Sequence, residues 1–141
     1  MSFTYNGLEF RTHLDAQWAA FFDLAGWLWW TNPVSVGNWK PDFKVSFECN
    51  HSECSGKHIL IGSVLPVNSI EDFKGHPCTK HNYGVRSEDG EYLADGAAAF
   101  GNAPSVTRWE ISHGSGAGVE DVFFRVADAK VLWTRAGELV K

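Results

Sequence analysis

A chain of 141 residues that is 44% hydrophobic and 21% charged has enough apolar material for one buried core, which excludes a disordered segment and leads us to expect a single domain over residues 1–141. Its formal net charge is −5, with twelve Lys and Arg scattered among seventeen Asp and Glu, so the basic stripe of a sequence-independent duplex binder is missing. No apolar run approaches the roughly 18–20 residues of a membrane span, no leader is read in the first residues, and a cytoplasmic location with no membrane partner is expected.

In chain order, Tyr5 to Phe10 is short and mixed, as for an entry strand. Thr12 and Asp15 are spaced like a capping box, and a helix over His13 to Ala25 is predicted. It places Leu14, Trp18, Phe21, Phe22 and Ala25 on one apolar stripe, with Gly26 as the stop. Trp27 to Trp30 reads as a strand closed by Asn32-Pro33. Phe43, Val45 and Phe47 alternate with Lys44, Ser46 and Glu48, the pattern of a half-buried strand. Ile59 to Leu65 is nearly all apolar and belongs in the middle of a sheet. Asn68-Ser69 caps a short helix over Ile70 to Lys74. From Gly75 to Pro104 no period is clean. Val106 to Ile111 and Val122 to Val126 read as strands. His113 to Gly118 is a glycine-rich turn, without the Lys and following Ser or Thr of a phosphate loop. Asp128 caps a last helix through Ala136, with Val131 and Leu132 inward and Gly137 as its stop.

Two groups of residues carry possible chemistry. All three cysteines, Cys49, Cys54 and Cys78, lie close to His51, His58, His76 and His81. An odd cysteine count without an export leader points to reduced thiols or thiolate ligands rather than a disulfide framework. Tetrahedral zinc takes four such donors, and the expected structural site is Cys49, Cys54, His58 and Cys78, with His51 and His76 in reserve. It would staple the Asn50 to Lys57 hairpin tip to the segment around Cys78. The second group is Asp15, beside the apolar stripe of the first helix, and Asp42, after Pro41 at a strand start. Converging carboxylates of this kind hold Mg²⁺ in phosphodiester hydrolysis.

The run from Tyr5-Asn6-Gly7 through Phe10-Arg11-Thr12 to Asp15-Ala16-Gln17-Trp18-Ala19, followed by Pro41-Asp42-Phe43, resembles the PD-(D/E)XK, or restriction-endonuclease-like, nucleases, and within them small phage-borne members. Segments from Val106 to Glu110, His113 to Gly118 and Asp128 to Gly137 are also similar. The resemblance implies an α/β fold with a central mixed sheet flanked by helices. In the family, the Pro-Asp carboxylate and a strand Glu hold the metal, a Lys on that strand stabilises developing charge, and a helix Glu assists. Here Asp42 remains, Asp15 is a shortened substitute, and Ser63 and Leu65 stand at the Glu and Lys positions. A hydroxyl cannot replace a carboxylate on a hard cation, and Leu carries no charge.

The function that follows is that of a catalytically degenerate nuclease-fold protein acting by binding. In a phage setting it would be an antagonist of a host nucleic-acid defence system, engaging a host protein of nucleic-acid handling in the host cytoplasm. Trp39, in a Gly-Asn-Trp-Lys turn, is the expected exposed anchor for that partner, because Trp is enriched at binding hot spots. The alternatives are an active Mg-dependent DNA endonuclease with a rearranged site, for which Mg would be the cofactor, and a DNA-binding relic.

Overall fold

The computed structural model describes all residues except 1, 50–55, 82, 114 and 115, and the side chains of 112, 113, 116 and 117. Asn6 and Gly7, at φ of 52° and 78°, form the left-handed two-residue turn that suits a hairpin. Strand β1 (Phe3–Tyr5) therefore pairs antiparallel with β2 (Leu8–Phe10), where one mixed strand was expected. Helix α1 (His13–Leu24) begins as its cap predicts, with Thr12 Oγ1 accepting from the Asp15 amide at 3.0 Å. It ends just before Gly26, whose φ is 79°.

The main sheet has six strands. Strands β3 (Leu28–Thr31), β4 (Phe43–Glu48) and β5 (Lys57–Val64) form an antiparallel meander. Two short strands, β6 (Val85–Arg86) and β7 (Tyr92–Ala94), pair apart from it. The chain then returns as β8 (Gly96–Phe100), parallel to β5, and continues into β9 (Thr107–His113) and β10 (Gly116–Glu120), each antiparallel to the strand before it. Across the sheet the order is β10-β9-β8-β5-β4-β3, so β5 is interior, as its apolar run predicts.

Alternation divides the side chains between two faces. Phe43, Val45, Phe47, Leu60, Ala98, Phe100, Trp109 and Ile111 face α1 and its aromatic residues. Ile61, Ala97 and Ala99 face the other way, under Val36, Trp39, Phe73, Cys78 and Val85. Single-turn 3-10 helices at Ile70–Phe73 and Pro77–Lys80 supply Phe73 and Cys78 to that second cover. The result is an α/β domain with a mixed sheet between two packed layers. Among the described residues, no helix is long and apolar enough to cross a membrane.

Several elements differ from expectation for identifiable reasons. Strand β8, Gly-Ala-Ala-Ala-Phe, is buried on both faces and so has no apolar–polar alternation to reveal it. Its Gly96 is required, since a Cβ there would lie 2.5 Å from the Glu110 carbonyl oxygen. Val122–Arg125 is a helical turn, α2, and not a strand, because Asp121 caps it by accepting from the Phe124 amide at 3.0 Å. The glycine-rich turn falls partly on residues outside the description, and His113 and Gly116 on either side of it are paired. Helix α3 (Ala129–Leu139) continues past Gly137. A Cβ at Gly137 would come within 2.9 Å of Gln17 Nε2, so this glycine permits close packing on α1 and does not stop the helix. The inward stripe of α3 is Ala129, Leu132, Trp133 and Ala136. Val131 lies off that stripe and is 67% exposed, contrary to the expectation that it faces inward.

Trp18 is the centre of the first layer. It is fully buried, contacts Phe21, Phe22, Phe100 and Trp133, and donates its indole N–H to the Gly101 carbonyl at 2.9 Å. Trp18→Ala would leave a cavity and an unsatisfied buried carbonyl. The variant is expected to lose about 3–5 kcal/mol of stability in urea unfolding.

Candidate functional site

The chain brings Asp15 and Asp42 together although α1 and the start of β4 are separate elements. Both line one cleft of about 310 Å³, with Glu9, Arg11, Thr31 and Asn32 around them. Asp15 is placed by the first turn of α1. Asp42 is fixed by backbone pairing on both sides: its amide donates to the Gly62 carbonyl at 2.8 Å, and its carbonyl accepts from the Asn32 amide at 3.1 Å. The Asp42 carboxylate is itself engaged, since Oδ2 accepts from the Val64 amide at 2.8 Å.

The electrostatics follow from this partial burial. Burial raises the Asp42 carboxyl above its ordinary range, while the Val64 N–H, Arg11 and His76 pull it back. Asp15 is raised chiefly by burial and further by the charge of Asp42, with Thr12 and Arg11 opposing. His76 is lowered by burial, against the pull of Asp42. Its Nδ1 accepts from the Cys78 amide at 3.1 Å and lies 3.0 Å from the Cys78 sulfur, so the neutral ring carries its proton on Nε2. Burial pushes the Cys78 thiol up to about 12, which makes this sulfur a poor nucleophile despite the adjacent imidazole.

Ser63, expected from the resemblance to stand in place of a Glu, is 3% exposed and its Oγ accepts from the Trp39 indole N–H at 2.8 Å. Leu65, expected from the same resemblance to stand in place of a Lys, packs against the second cluster. Trp39 therefore requires correction. The expected turn is present, with Gly37 at φ 59° and Val36 bridged to Trp39. That short turn, however, folds the indole back over the sheet, where it stacks on His81 at 5.3 Å. Trp39 is only 4% exposed and does not offer a surface anchor. Nothing in the turn sequence marked this; the signal was Ser63, a small acceptor on an apolar strand.

The expected zinc ligands are divided by the sheet. His51 and Cys54 lie outside the described residues. Cys49 follows β4 and is buried. His58 sits on the first face, against the Phe47 ring. Cys78 belongs to the cluster on the second face, beside His76. The structure thus does not bring His58 and Cys78 to one centre. Among the described residues, no three His, Cys, Asp or Glu side chains are placed to share a metal ion. A larger hollow of about 420 Å³ lies on the second face, near Phe73, Cys78, Ala97 and Arg108, but none of Asp15, Asp42, Ser63 or Leu65 lines it.

No protein-family model, curated protein or solved structure matched this chain.

The raised carboxyls set a pH dependence. A folded-state pKa above the unfolded value means that the native state holds protons the unfolded state has released. Asp15 and Asp42 therefore disfavour the fold once ionised, and stability falls as pH rises through the window between the ordinary and the raised values. Because Asp42 raises Asp15, Asp42→Asn should lower the Asp15 titration midpoint while burial keeps it above the ordinary range. A ¹³C NMR carboxyl titration of the two proteins measures this.

Proposed function

We propose that this chain is a degenerate nuclease-fold protein that acts by binding a protein of a nucleic-acid-handling system and does not cleave phosphodiester bonds. The observation that carries the reading is the buried Trp39–Ser63 hydrogen bond. In the family the resemblance points to, metal-dependent hydrolysis uses a strand carboxylate beside the Pro-Asp one, and a hydroxyl already committed to an indole supplies neither the charge nor the open coordination position. Asp42 has one oxygen bound to a backbone amide, and Leu65 brings no cation to stabilise developing charge. The mixed sheet flanked by helices supports the PD-(D/E)XK resemblance at the level of architecture, and the −5 net charge favours a protein over duplex DNA as the partner. In a phage setting, such a protein would antagonise a host defence system by occupying one of its components.

One observation favours the alternative of an active endonuclease. Asp15 and Asp42 still share a cleft with Arg11, so a cation held by two carboxylates has a place to sit. Incubation with plasmid DNA in Mg²⁺ or Mn²⁺ separates the readings. The expected result is no cleavage above background for the wild type, with Asp42→Ala indistinguishable from it. Cleavage that disappears in Asp42→Ala would establish the enzyme reading instead. In a gel shift at physiological salt, random duplex is expected to bind weakly or not at all.

A further inference from the structure

We propose that β3 pairs with the β3 of a second copy of this chain, antiparallel and centred on Trp30, so that two sheets join at their edges. Strand β3 is the last of the six, and hydrogen-bond alternation decides which of its backbone groups point away from β4. The amide of Cys49, the residue after β4, bonds to the Gly56 carbonyl, so odd-numbered residues of β4 face β5 and even-numbered ones face β3. The Asn32 amide bonds to the Asp42 carbonyl, which continues the same ladder through the Trp30–Lys44 and Leu28–Ser46 pairs. Trp29 and Thr31 therefore turn their N–H and C=O groups outward. Among the described residues, none of these groups has a partner.

A sheet edge is ordinarily protected by a charged residue or a proline in the strand, or by a bulge. Leu28-Trp29-Trp30-Thr31 has none of these, and its register with β4 is unbroken. Instead it shows apolar surface on the face away from α1, where Leu28 is 62% and Trp30 is 47% exposed. Lys44, opposite Trp30 on β4, has its Nζ 5.2 Å from the indole centroid, which occupies the inner side of the ring and not the edge side. The strand is also fixed before anything docks. On the face toward α1, the Trp29 indole N–H donates to Asp23 at 2.8 Å and the ring packs against Phe10 and Phe43.

One register uses every outward group. A dyad at Trp29 would set Thr31 opposite Trp27, whose amide is already bonded to the Phe22 carbonyl. A dyad at Thr31 would set Trp29 opposite Pro33, which has no N–H. With the dyad at Trp30, Trp29 of each copy stands opposite Thr31 of the other, and both pairs exchange N–H and C=O bonds. Trp30 then meets its own equivalent at the non-hydrogen-bonded position, where side chains approach closest, and an aromatic pair there stabilises the join. Because β3 carries no charge, no like charges meet. An isologous contact requires a self-complementary patch, and this match of the strand to itself assigns the edge to a second copy. Four residues a side are far fewer than the roughly 20–30 of a standard interface, so the dimer is reversible. The pairing rests on the fold and not on the reading of the carboxylate cleft.

Sedimentation velocity of the full chain over a concentration series should show a monomer–dimer equilibrium, and hydrogen exchange at the Trp29 and Thr31 amides should slow as the dimer forms. Trp30→Glu sets two carboxylates opposite each other at the dyad, each beside its own Lys44, and should give a folded monomer by circular dichroism. Trp30→Cys should form an interchain disulfide on mild oxidation, since Cβ atoms at that position lie within bridging range. Leu28→Cys, which would meet Asn32 and not itself, should not. A chain that stays monomeric at millimolar concentration overturns the proposal and leaves the edge to a strand of another protein. So does a dimer that survives Trp30→Glu, or a Leu28→Cys variant that cross-links as readily as Trp30→Cys.

Discussion

Strand β5 is bonded along both edges, antiparallel to β4 and parallel to β8, so its side chains have only the two faces of the sheet to occupy. Parity then assigns them. His58 and Leu60 go to the face covered by α1, and Ile61 and Ser63 go to the face covered by the 3-10 turns. A one-residue slip would exchange every one of these positions. Gly62 helps to fix the register, since a Cβ there would meet the Ala98 carbonyl oxygen at 2.8 Å and the Phe100 ring at 2.9 Å. The groups at both ends are placed by this strand. One end sets His58 beside Asp95, and the other presents the Val64 amide to Asp42 and the Ser63 hydroxyl to Trp39.

A small neutral acceptor at Ser63 admits a large indole above it, and the indole N–H finds its partner there. With Leu65 beside it on the same face, this end of the strand continues the apolar core. Asp42 retains its place because its backbone joins β4 to β5 and its carboxylate satisfies Val64. Those structural roles persist whether or not a metal ever binds.

What could be read in the sequence was what alternation and capping announce. Helix α1, the strand pair β4–β5 and the interior position of β5 follow from Thr12, from Phe43-Val45-Phe47 and from the apolar run that begins at Ile59. The convergence of Asp15 and Asp42 was read from their places beside the apolar stripe of the first helix and at a strand start, and both line one cleft. Strand β8 was hidden because three small alanines on a doubly buried strand carry no periodicity. Helix α2 was misread because its four residues are too few for the helical period to appear. The burial of Trp39 and the separation of His58 from Cys78 depend on which face each residue occupies, and that is decided by pairing across distant strands. The Asp95 contact to His58 spans 37 positions and has no local signal at all.

The proposed function requires that the Asp15–Asp42 cleft hold no catalytic metal. Its most direct test is a Mn²⁺ titration of the protein, read as paramagnetic broadening of the Asp15 and Asp42 side-chain carboxyl signals. Both signals are predicted to keep their widths through micromolar Mn²⁺ and to broaden only with the general, non-saturating effect of millimolar ion. Selective, saturable broadening of the two at micromolar Mn²⁺ would contradict the account.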